Sequence, residues 1–113
     1  MLKAEGKKII MDEYDYGLDL PFKLSGDVLV TDKIVFSIKK QYEDEVIIKK
    51  EYMGLTEEEG KLVFILTFTE EEAKLIPRGK YTYVIQQCRE CKLHNTVESS
   101  GEFVVRKGNE LWL

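Results

Sequence analysis

Four stretches of this 113-residue chain alternate apolar and polar letters with a period of two, and that alternation limits the fold more than any other feature. In KIVFSIKK (33–40), Ile34, Phe36 and Ile38 share one face. In KLVFILTFT (61–69), Leu62, Phe64, Leu66 and Phe68 do so; Val63 and Ile65 make the other face partly apolar, which predicts a central strand. GKYTYVIQQ (79–87) sets Tyr81, Tyr83 and Ile85 against Thr82, Val84 and Gln86, and GEFVVRK (101–107) closes the set. DEVIIKKEY (44–52) follows the polar turn QYED and reads as a hairpin partner of 33–40. KKIIM (7–11) and LDLPFKL (18–24) are weaker strands, and Pro21, without an amide donor, puts the second at an edge or a bend.

One segment breaks the period. TEEEAKLIP (69–77) has Thr69 followed three residues later by Glu72, a capping-box pattern, with Glu70, Glu71 and Glu72 in the first turn where the helix dipole favours them. Pro77 ends it. This predicts one short helix, about residues 70–76, with Ala73, Leu75 or Ile76 on the end of the core. About seven strands and one helix predict an all-β, immunoglobulin-like antiparallel β-sandwich, a single domain over 1–113. Tyr81 or Tyr83, just after the corner, is placed to form the tyrosine corner of such domains.

Composition excludes several functions. Apolar residues make up 43% and charged residues 34%, a globular balance, and the net charge of -4 argues against a nucleic-acid partner. No apolar run approaches the roughly 20 residues of a membrane helix, and MLKAEGKKIIMDEYDYG lacks the apolar centre of a signal peptide, so cytoplasmic synthesis and no membrane partner are expected. The lysine pairs 7–8, 39–40 and 49–50 have acids close by and read as solvated faces. No glycine-rich phosphate loop appears, and the carboxylate clusters fall in turns, so no cofactor and no catalytic site are expected.

Chemistry-bearing letters concentrate in QQCRECKLHN (86–95), which holds Cys88, Cys91 and His94, the only cysteines and the only histidine. These are three soft ligands within seven residues. A zinc site needs a fourth, from Glu90, Glu98, water or another copy, so no metal is expected. A redox role lacks the helix start that lowers a thiol pKa. The stretch reads as a hairpin turn between strand 79–87 and a return strand starting near Leu93. A two-residue turn at Arg89–Glu90 would set Cys88 opposite Cys91, within reach of a disulfide; a three-residue loop, 89–91, would separate them. The aromatics outside the core stripes, Tyr14, Tyr16, Tyr42, Tyr52 and Trp112, are candidate contacts for a protein or a glycan.

Taken together, GLDLPFKLSG, DKIVFSIKK, EVIIKKEY, GKLVFILTFTEEEAKLIPRGKYTYVIQQ and TVESSGEFVVRK resemble the N-terminal immunoglobulin-like domain of phage baseplate upper proteins. Thr67, Thr69, Ala73, Leu75, Gly79, Tyr81, Tyr83 and Ile85 carry the most specific part, and Gly101, Phe103 and Val105 complete it. The likeness spans residues 17 to 107 in short, degenerate motifs. It implies a non-enzymatic virion protein of phage or prophage tail or baseplate, docking on other tail or baseplate proteins or on copies of itself. Members of that family continue into a long helical or fibrous region, whereas this sequence stops at Leu113, so a free-standing module or virion accessory is expected. The apolar segments IIMDEYDY and ELWL are expected to supply contacts. A carbohydrate-binding or adhesive sandwich is the other reading of the exposed aromatics.

Overall fold

A computed structural model describes residues 1–107. Among these residues the nine strands are β1 (Leu2–Glu5), β2 (Lys8–Asp12), β3 (Leu20–Leu24), β4 (Lys33–Lys40), β5 (Val46–Tyr52), β6 (Thr56–Glu58), β7 (Lys61–Leu66), β8 (Gly79–Arg89) and β9 (Lys92–Arg106); the helix α1 (Glu70–Leu75) lies between β7 and β8. They form an all-β sandwich of a six-stranded sheet, β1-β2-β9-β8-β4-β5, and a three-stranded sheet, β3-β7-β6. The order β9-β8-β4-β5 opposite β3-β7-β6 is that of the G-F-C-C′ and B-E-D strands of an immunoglobulin-like sandwich.

The period-two faces form the core. Ile34, Phe36 and Ile38 of β4, Phe64 and Leu66 of β7, Phe68, Tyr81, Tyr83 and Ile85 of β8, and Phe103 and Val105 of β9 are all buried. Phe36 stacks on Tyr83 within the larger sheet at 5.5 Å between ring centroids, and Phe103 meets Phe68 edge-on at 5.9 Å; Tyr52 of β5 and Phe64 of β7, 5.0 Å apart, join the two sheets. β7 is the central strand of its sheet. Val63 on its second face is buried, but Ile65 is exposed.

The corner between the sheets follows the local sequence closely. Thr69 accepts the Glu72 N–H at 3.2 Å, and the Glu72 carboxylate accepts the Thr69 N–H at 2.9 Å, closing the capping box. Glu72 also takes Lys50 Nζ at 2.7 Å, which ties the helix to β5. Ala73 and Ile76 face the core while Leu75 stays exposed. Beyond Pro77, the Tyr81 hydroxyl donates to the Pro77 carbonyl at 2.5 Å, the expected tyrosine corner. The Tyr83 hydroxyl instead donates to the Lys7 carbonyl at 2.5 Å and so helps hold the first hairpin.

The structure departs from the sequence expectation in four respects. Two strands are added: β1, which pairs with β2, and β6, whose three exposed residues carry no apolar period. The return strand expected near Leu93 and the strand expected at 101–107 are one strand, β9, which begins at Lys92 and runs for 15 residues. The sandwich is not wholly antiparallel, because β2 pairs with β9 in parallel, Lys8 opposite Glu102 through Asp12 opposite Arg106. That pairing corrects the expectation for IIMDEYDY, since Ile9 and Met11 point into the core from β2 rather than serving as free contacts. ELWL lies outside the described residues.

Candidate functional site

The polar residues buried most deeply sit at one end of the sandwich, where the loop 25–32 between β3 and β4 meets the β8–β9 hairpin. Asp32 and Gln87 are both fully buried. Asp32 closes the loop on itself by accepting the Leu29 N–H at 2.8 Å. Gln87 Nε2 donates to Asp32 Oδ2 at 2.7 Å and to the Asp27 carbonyl at 2.8 Å. Arg89 grips Asp32 with a two-pronged contact, Nε to Oδ1 and Nη2 to Oδ2, each at 2.9 Å. Its Nη1 reaches Asp27 Oδ2 at 3.2 Å, and His94 Nε2 lies 3.3 Å from the same oxygen.

These contacts set the charges. Arg89 holds the Asp32 carboxyl far below the usual carboxylate range, against the burial that alone would raise it. Hydrogen bonds from Arg89 and then His94 lower Asp27 as well. Every buried side-chain polar atom of the cluster has a partner, so the cluster fixes a loop. Its visible product is the tip of that loop. Leu29 and Val30 are 47% and 54% exposed although both neighbour a buried carboxylate network.

The QQCRECKLHN stretch forms the hairpin turn, in a register different from both expected ones. Arg89 pairs with Lys92 and Cys88 with Leu93, so the two turn residues are Glu90 and Cys91. Their φ angles of 52° and 63° are both left-handed, the arrangement of a type I′ turn. Cys88 and Cys91 are therefore not opposite one another, and both thiols are free. Among the described residues, no three His, Cys, Asp or Glu side chains converge on a possible metal position, and no helix is long and apolar enough to cross a membrane.

The candidate aromatics do not form one platform. Tyr14 and Tyr16 are exposed in the segment after β2, and Tyr42 stands almost wholly in solvent at the β4–β5 turn. Tyr52 is different. It is half-buried, its ring 5.0 Å from that of Phe64, and burial pushes its hydroxyl up to about 12. That hydroxyl is enclosed beside the Thr67 backbone but outside hydrogen-bonding geometry. Tyr52 thus belongs to the margin of the core, not to a surface platform. Trp112 lies outside the described residues. Sequence reasoning missed Asp27, Asp32, Gln87 and Arg89; the Asp32–Gln87 contact joins residues 55 positions apart, which no local pattern signals. No protein-family model matches the chain, and no curated protein is similar enough to match it.

Proposed function

We propose that this chain is a non-enzymatic structural module of a phage or prophage virion, part of the tail or baseplate, that works by docking on other proteins. The observation carrying the docking role is the loop 25–32. A buried carboxylate, a glutamine and a bidentate arginine hold it to the β8–β9 hairpin, and it presents Leu29 and Val30 to solvent. Apolar side chains on a pre-fixed loop lose little conformational freedom on binding, and such anchors dominate protein interfaces. The virion setting rests on the resemblance of residues 17 to 107 to the baseplate upper protein domain.

The test uses particles purified from producing cells, analysed by mass spectrometry for this chain. Wild-type chain is expected in the particles. The Leu29→Asp, Val30→Asp double variant is expected to melt at the same temperature as wild type and to be lost from them. Particles that lack the wild-type chain sink the virion assignment; particles that retain the variant sink the loop as the docking element.

A further inference from the structure

At the end of the sandwich opposite that loop, the β4–β5 turn and the α1–β8 corner enclose an open cleft of about 480 Å³. Its walls include Lys40, Arg78 and Lys80, with Tyr81 on the wall from β8 and Tyr42 and Glu43 from the turn. The three cations are exposed, and none is in an ion pair among the described residues. Elsewhere on this chain of net charge -4, Lys3, Lys23, Lys33 and Lys50 each pair with an acid. Here three cations face one cleft that Glu43 also lines, with the Glu13 carboxylate at its edge accepting the Arg78 N–H at 3.0 Å; the cations outnumber the acids, and such an excess draws an anionic ligand.

Tyr42 adds a second, independent feature. The residue is 96% exposed, and its backbone φ is +67°. A bulky aromatic residue is unfavourable in the left-handed region, and such strain concentrates where a side chain must be presented in one direction. The ring has no packing partner to account for its position. Tyr81 cannot substitute for it, because its hydroxyl is occupied by the Pro77 carbonyl.

We infer that this cleft binds an acidic sugar chain, with one ring seated on the face of Tyr42 and its carboxylates met by Arg78, Lys80 and Lys40. A pyranose ring has an apolar C–H face that suits an aromatic surface, and guanidinium and ammonium groups suit carboxylates. A protein ligand fits less well, because the cleft is open and mixes cationic with apolar walls, without the enclosed pocket that an anchoring side chain fills.

The test is calorimetric titration of the full chain with a galacturonic acid hexamer, a neutral galactose hexamer and a hexaglutamate peptide, at low and physiological salt. The acidic sugar is expected to bind about tenfold or more tightly than either control, a difference of one good contact. Y42G, which relieves the backbone strain, should keep or raise the melting temperature and weaken that binding about tenfold. The R78Q/K80Q double variant should fold normally and remove most of the salt dependence. Absence of acidic-sugar binding overturns the inference, as do equal binding of the neutral sugar, unchanged binding by Y42G, and hexaglutamate binding as tight as the sugar.

Discussion

The ring of Tyr83 occupies the space where a side chain on Gly101 would have to stand. The two residues are partners across β8 and β9, and a Cβ built on Gly101 would lie deep inside contact distance of three Tyr83 ring carbons. The ring is fixed on its other side by Phe36 and at its tip by the Lys7 carbonyl.

Gly101→Ala should therefore destabilise the protein by about 1–3 kcal/mol through overpacking. Urea denaturation measures this directly. In a Tyr83→Leu background, where the ring is gone, the same substitution should cost clearly less. Equal costs in both backgrounds would mean that the clash is not with Tyr83.

Acid should unfold the protein partly through Asp32. Its carboxyl is depressed in the folded state, so it stabilises the fold above the unfolded-chain value of about 3.9. That contribution is lost as pH falls below this value toward the lower folded-state value. Asp12, Asp27 and Glu72 are lowered too and share the slope. Asp32→Asn should melt below wild type at neutral pH and approach it in acid. A constant difference between the two melting curves from neutral pH to acid would show that Asp32 is not a main source of the pH dependence.

Native protein should titrate two free thiols, the exposed Cys91 reacting faster than the half-buried Cys88. A bridge would need Cys88 opposite Cys91, and the observed register puts Leu93 there instead. Forming the bridge would require β9 to slide two residues along β8 and give up the Cys88–Leu93 and Arg89–Lys92 pairs. Recovery of no thiol from native, unreduced protein would overturn this register.

What was legible in the sequence was whatever repeats locally. The faces of 33–40, 61–68 and 79–85, the Thr69–Glu72 capping box and the tyrosine at 81 all depend on neighbours a few residues away. The parallel β2–β9 pair was not legible, because Ile9 and Phe103 are partners from opposite ends of the chain. Tyr52 misled because KKEY reads as a polar strand end, yet its inward position brings it onto Phe64. Gln87 and Arg89 were hidden for a related reason: polar letters at the end of a strand suggest solvent, and only the arrival of Asp32 makes them interior. In the cleft, Tyr42 stood out as an aromatic outside the core stripes, whereas Arg78 and Lys80 gained meaning only when the topology brought their corner beside the β4–β5 turn.

The parallel pairing of β2 with β9 also has a mechanical consequence. Tension applied upstream of Lys8 and downstream of Arg106 pulls these two strands in opposite directions along their length. β1, paired antiparallel to β2, can peel away one bond at a time. The β2–β9 ladder cannot, because its hydrogen bonds are loaded together in shear. A chain strained end to end would give up its first hairpin strand easily and then meet a stiff clamp, built from Lys8–Asp12 and the last turn of pairing on β9.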